Sequence, residues 1–100
     1  MVSGKPRIRD IEMRIRKLED EVRATRERIR TFEERYGMSS EEFLGRFLRG
    51  ELGDEQDFIE WYGELVFLEM ARRELREVRG LRERLARRVY ERSDREAVEA

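Results

Sequence analysis

Tyr36–Trp61, YGMSSEEFLGRFLRGELGDEQDFIEW, separates two long helical patterns and decides how they are arranged. Gly37 follows the last apolar residue of the first pattern and suits the left-handed turn that closes a helix. Ser39 with Glu42 three residues on forms a capping box, and Met38 and Phe43 stand at the two positions of a hydrophobic staple. These signals predict a short helix from about Ser40 to Arg49, with Phe43, Leu44, Phe47 and Leu48 on its apolar face and Gly50 as its stop. Asp54, after Gly53, is placed to cap a further helix, with Glu55 and Asp57 well placed for its dipole. The stretch is a connector that carries a helix of its own.

Before the connector, apolar residues recur at Ile8, Ile11, Ile15, Leu18, Val22, Ile29, Phe32 and Tyr36, with Thr25 filling the gap. The three–four spacing is a strict heptad: Ile8, Ile15, Val22, Ile29 and Tyr36 at position a, and Ile11, Leu18, Thr25 and Phe32 at d. A helix over this span is roughly 43 Å long. The flanking charges Arg14, Glu21 and Arg28 (g) and Glu19, Arg26 and Glu33 (e) give three attractive pairs in a parallel dimer. Ile8, Ile11, Ile15, Leu18, Val22 and Ile29 are therefore candidate self-association residues. The other reading is a hairpin, in which the same seam packs against the last helix and needs no partner to be buried.

After the connector the core candidates are Phe58, Trp61, Tyr62, Leu65, Leu68, Ala71, Leu75, Val78, Leu81, Leu85 and Val89. The stripe widens near Trp61, where Ile59, Val66 and Phe67 are also apolar, as for a helix with more than one neighbour. Gly63 lies in the helix interior, a cost of about 1 kcal/mol against alanine that close helix approach would explain. Gly80 is a second weak point. Ser93 with Glu96 repeats the capping-box pattern, which predicts a break before a short tail.

The expected fold is all-α: two long antiparallel helices forming a coiled-coil-like hairpin, with a short third helix in the connector. The expected segments are 7–36, 37–53, 54–92 and a tail over 93–100, within one domain, after a frayed leader from Met1 to Pro6. Charged residues make up 47% of the 100 residues and apolar ones 38%, which suits long amphipathic helices better than a thick globule. Asparagine is absent and Gln56 is the sole glutamine, a thermophile's habit that an arginine-rich, GC-rich genome also explains.

The composition excludes several chemistries. With no cysteine there is no disulfide or thiolate chemistry, and with no histidine the commonest general base and metal ligand are missing. A carboxylate-bridged diiron bundle needs Glu-x-x-His pairs. GELGD lacks the lysine and hydroxyl residue of a phosphate loop. Asp54, Asp57 and Glu60 recur every three residues, but the ligand register of a calcium loop is missing, and a helix start rich in carboxylates explains them. No enzyme activity, cofactor or metal is expected. Nothing is apolar enough to span a bilayer and the N-terminus lacks a signal-peptide core, so the expected location is cytoplasmic, without a membrane partner.

The net charge of −1 hides a division by position. Glu33–Glu64 is mostly acidic, whereas Arg72–Arg92 holds nine arginines against four glutamates. The basic stretch is a candidate phosphate-binding end, so nucleic acid is the alternative partner. It lacks interleaved aromatics other than Tyr90, and a solvated, salt-bridged face is the plainer account. At the acidic tip, Phe43, Phe47, Phe58, Trp61 and Tyr62, rimmed by Asp57 and Glu60, are candidate anchors for a protein partner or a small local core.

The run YGM-S-x-E-E-F, then G-E-L-G-D, then D-F-x-E-W resembles a group of small archaeal and bacterial helical proteins, some described as antitoxins of toxin–antitoxin pairs. The residues carrying the likeness are Tyr36, Gly37, Met38, Glu41, Glu42, Phe43, Gly50, Glu51, Leu52, Gly53, Asp54, Asp57, Glu60 and Trp61. The resemblance implies a non-enzymatic protein that binds and neutralises a partner toxin. A structural coiled-coil adaptor is the remaining alternative. Homo-oligomerisation, favouring a dimer, is expected on the strength of the seam and the leftover apolar surface.

Overall fold

Local signals along the chain produce three helices, α1 (Ile8–Tyr36), α2 (Ser40–Leu48) and α3 (Gln56–Glu99). The computed structural model describes residues 7–99, with side chains through Ser93; the Met1–Pro6 leader and the side chains of the tail lie outside the described residues. The long helices α1 and α3 pack against each other as an antiparallel hairpin, and α2 closes its tip.

Each boundary has a backbone cause. Gly37 adopts φ 59°, ψ 38°, and the Met38 amide reaches back to the Glu33 carbonyl at 3.2 Å, which ends α1. The Ser39 side chain accepts from the Glu42 amide at 3.1 Å and caps α2. At the other end of α2, Gly50 sits at φ 73° while the amides of Gly50 and Glu51 return to the carbonyls of Phe47 and Arg46. That pattern satisfies carbonyls the helix end would leave orphaned. α3 starts later than Asp54: the amides of Phe58 and Ile59 donate to the Glu55 carbonyl, so Glu55 holds the cap position. Its far end differs more. Ser93 and Glu96 do not interrupt α3, which runs on to Glu99. No glycine or proline follows Ser93 to stop the helix, and a capping residue inside a continuous helix has no free amide to satisfy.

The heptad seam of α1 is consumed inside the chain. Ile11, Ile15 and Leu18 form one buried cluster with Leu75, with Val78, Leu81 and Leu85 packed on it. Ile29 is also buried, Val22 is half-buried, and Ile8 at the first turn is exposed. The flanking charges pair across the hairpin. Arg14 with Glu74, Arg28 with Glu64 and Arg35 with Asp57 line one side. Glu12 with Arg82 and Glu19 with Arg79 line the other. Of the charges that would attract across a parallel dimer, Arg14, Glu19 and Arg28 face α3 here. Exposed pairs of this kind contribute little each, so their effect is to select the antiparallel register rather than to hold the helices together.

α3 outlasts α1. From Ala86 to Ser93 every residue is exposed, including Val89 and Tyr90. Val89 is therefore outside the core, because no described residue of α1 lies opposite it. Leu18→Ala should cost about 2–5 kcal/mol, the range for a leucine deleted from a packed core. Val89→Ala should stay within about 0.5 kcal/mol of wild type, as at an exposed site. Denaturant titration followed by Trp61 fluorescence measures both, and similar losses from the two would contradict the overhang.

Candidate functional site

The tip is built on Trp61, whose side chain is fully buried. Trp61 comes from the second turn of α3 and stacks on Phe43 of α2, with centroids 3.9 Å apart and planes at 5°. Phe32 and Tyr36 of α1 flank the indole at 5.8 and 6.0 Å. Phe58, Met38, Phe47, Leu52, Tyr62 and Leu65 complete the cluster. Both members of the staple pair, Met38 and Phe43, thus belong to it.

A polar clasp crosses the same point. The Trp61 indole N–H donates to Ser40 Oγ at 3.0 Å. The Ser40 hydroxyl and backbone amide both donate to the same carboxylate oxygen of Glu33, at 2.8 and 3.0 Å. Glu33 of α1 therefore caps the first turn of α2 and orients the hydroxyl that holds Trp61 of α3. Among the described residues no buried side-chain polar atom is left without a partner, as a clasp at a helix junction requires.

Beside it lies a second latch. One carboxylate oxygen of Asp57 accepts from the Tyr36 hydroxyl at 2.6 Å and from Arg35 at 2.7 Å. The Tyr36 hydrogen bond, followed by that of Arg35, holds the Asp57 carboxyl below the usual aspartate range. The same bond to Asp57 raises the Tyr36 hydroxyl above the ordinary tyrosine value.

These contacts divide the sequence-predicted anchors. Phe43, Phe58 and Trp61 are core, and a partner could reach them only by opening the tip. Phe47 and Tyr62 are half-buried and stack on each other at 5.2 Å. Asp57 is engaged in its latch, and the exposed Glu60 accepts a hydrogen bond from Gln56. Asp54, Asp57 and Glu60 do not converge: among the described residues no group of three or more metal-ligating side chains is placed to hold an ion. Also among the described residues, no helix is long and apolar enough to cross a membrane.

The apolar surface left outside lies on the back of α3. Ile59, Val66, Phe67 and Met70, at helical spacings of seven, eight and eleven from the first, are 49, 42, 42 and 62% exposed. Beside them Leu44 and Leu48 of α2 form a groove with Tyr62, Leu65, Val66 and Met70 of α3, edged by Glu69 and Arg73. The widening of the stripe at Ile59, Val66 and Phe67 was the sequence signal for this face. Leu48 and Met70 escaped it, because only the placement of α2 brings them together. The segment from Phe58 to Ala71 is thus apolar on both sides of one helix, a pattern that belongs to a helix covered all round. Gly63 sits on this outer face, exposed, with nothing within 4 Å of an added Cβ. No packing inside the chain accounts for it.

No protein-family model, no curated protein and no solved structure matches this chain.

The latch sets a pH dependence. Because the folded-state pKa of Asp57 lies below its unfolded value, its stabilisation is complete above the unfolded value and is lost as pH falls through the folded one. For Tyr36, raised in the fold, stabilisation is complete below the ordinary tyrosine pKa and is lost as pH rises through the folded value. The stability difference between wild type and Asp57→Asn should therefore shrink as pH is lowered below about 4. Urea titrations across that range measure it, and a difference that does not change with pH would mean the latch carries no charge.

Proposed function

We propose that the chain is a non-catalytic protein-interaction module, antitoxin-like in role, which docks a basic partner on the apolar outer face of α2 and α3. The observation that carries this reading is the exposed stripe Ile59, Val66, Phe67 and Met70 beside the Leu44–Leu48 groove, on a segment whose opposite side is core. An exposed contiguous patch of that kind is a site of association. The neighbouring charge supplies the partner's sign. Residues 33–64 hold ten carboxylates against three arginines, a field that speeds encounter with a basic protein and disfavours an acidic one. The mode that fits a groove between two helices is an amphipathic helix laid along it. The resemblance in the connector supplies the role, neutralisation of a toxin, while the groove supplies the contact.

Of the tip aromatics only Tyr62 lines the groove, and the α1 seam does not enter it. Gly63 fits the same account, since a residue without a side chain lets a partner's backbone come close. The arginine-rich part of α3 is less suited to the nucleic-acid alternative than its composition suggests: Arg79, Arg82 and Arg87 pair with Glu19, Glu12 and Glu83.

Leu48→Glu and Met70→Glu test the face without entering the core, because both side chains are more than half exposed. Co-expression with the product of a small gene adjacent to its own is the assay. Growth arrest by that product should be relieved by the wild-type chain and not by either variant, at unchanged melting temperature. Relief that survives both variants would overturn the docking site. A wild-type chain that is dimeric by light scattering, and monomeric with Met70→Glu, would assign the face to a second copy instead. Gly63→Ala separates stability from binding: it should raise the melting temperature by roughly 4–8 °C, about 1 kcal/mol for a chain of this size, while weakening partner binding.

A further inference from the structure

The hairpin has a second surface that its packing does not explain. Halfway along, where the two apolar clusters meet, the core is thin: Thr25 and Ala71 are the small buried residues there. On the flank of this waist a groove of about 660 Å³ runs between α1 and α3. It is lined by six arginines, Arg23, Arg26 and Arg30 from α1 and Arg72, Arg76 and Arg79 from α3, against two carboxylates, Glu19 and Glu27 of α1, with Val22 and Leu75 as apolar floor.

The charge pattern breaks its own rule at this place. Along the same flank, Glu12 faces Arg82 and Glu19 faces Arg79, opposite signs across the seam. The next step of the heptad brings Arg26 of α1 to the groove it shares with Arg72 of α3. Arg26 and Arg30 stand one turn apart on α1, and Arg72 and Arg76 one turn apart on α3, both repulsive spacings. Arg26, Arg30 and Arg72 have no hydrogen bond or ion pair among the described residues, whereas Arg23, Arg76 and Arg79 meet Asp20, Glu69 and Glu19. A glutamate at position 26 would have continued the attractive flank. A local conflict without structural return marks a functional position.

We propose that this groove is a binding site for a compact oligophosphate anion, an inorganic tripolyphosphate or the triphosphate of a nucleotide. Guanidinium forks bind phosphate oxygens bidentately, and three unpaired forks converging from two helices match a ligand with several phosphates in a row. The length selects against nucleic acid. From Arg23 to Arg30 the helix rises roughly 10 Å. Carboxylates bound the run at Glu19 and, toward the tip, at Glu33 beside Arg26, Arg30 and Arg72, and Glu27 lies within it, which leaves room for one short anion only. A duplex strand carries one phosphate per about 3.4 Å, so a run of this length meets only about three of them, too few for a nucleic-acid backbone held by charge along its length. No aromatic side chain lines the groove to stack a base. The site therefore reads the phosphate chain and not the base. It is independent of the apolar docking face.

Isothermal titration calorimetry and thermal shift with sodium tripolyphosphate test the site on the full chain. Tripolyphosphate should raise the melting temperature, bind at least tenfold more tightly than inorganic phosphate, and weaken with added salt. ATP should match tripolyphosphate, because the base is not read. Arg72→Gln should reduce affinity at least tenfold, while Arg88→Gln, outside the groove, leaves it unchanged. Arg26→Glu provides the sharper arm. It should raise the melting temperature of the free protein by placing a carboxylate among the arginines, and at the same time abolish binding. Equal binding by wild type and Arg26→Glu would overturn the proposal. So would an ATP preference of tenfold or more, or tight binding of a uridine oligonucleotide that tripolyphosphate does not displace.

Discussion

Every feature of the tip depends on the burial of Trp61. Its ring fills the junction between α1, α2 and α3, stacked on Phe43 and flanked by Phe32 and Tyr36. A buried indole N–H must find an acceptor, and the acceptor it finds, Ser40 Oγ, is held by Glu33. One side chain from each helix is thereby committed to the same three-residue chain of hydrogen bonds. Glu33 does three tasks at once: its carbonyl receives the turn that ends α1, and its carboxylate caps α2 and orients Ser40. A short helix of nine residues is not stable alone, so α2 owes its existence to this junction as much as to its own capping box.

Closing the tip in this way determines what remains outside. The chain has five phenylalanines, three tyrosines and one tryptophan, and the junction draws in most of them. Ile59, Val66, Phe67 and Met70 cannot join it, because α2 and α1 already occupy the inner face of α3, and Leu48, the last residue of α2, is left exposed. The outer face is therefore a consequence of helix geometry: α3 is apolar on two sides near Trp61, and a hairpin covers only one of them. Phe67 is left out although it is as large as Phe58.

Farther from the tip the balance changes from packing to charge. The molecule is 69 Å long and 21 Å across its thinnest dimension, so nearly every flank residue meets water and the ion pairs act mainly as a register. Five pairs of opposite sign across α1 and α3 agree with one antiparallel alignment, which a slip by one turn would undo. Against that background Arg26, Arg30 and Arg72 at the waist stand out as the part of the flank that does not serve the alignment.

The three helices and the ends set at Gly37, Ser39 and Gly50 are written in the sequence alone; the far end of α3 is not, since the Ser93 signal predicts a break where the helix runs on to Glu99. Gly37, Ser39 and Gly50 act through backbone groups within a few residues, and the Ile8–Tyr36 seam repeats at a period one helix imposes, so both are readable without knowing the fold. The short helix in the connector follows from these, and the hairpin is one of the two arrangements that the seam allows. What depends on distant neighbours was not readable. Whether Phe43, Phe58 and Trp61 would be anchors or core rested on where α2 docks. Whether Arg14, Glu19 and Arg28 would face a second chain or α3 rested on the direction of folding, because the same charges satisfy either. Asp57 looked like part of an acidic row until Tyr36 and Arg35, more than twenty residues away, took its carboxylate. Arg26 and Arg72 meet across forty-six positions, and only the tertiary structure brings two ordinary helical arginines into one groove. Helical period and capping are short-range interactions, whereas the side of a helix that is buried is decided by whichever distant surface reaches it first.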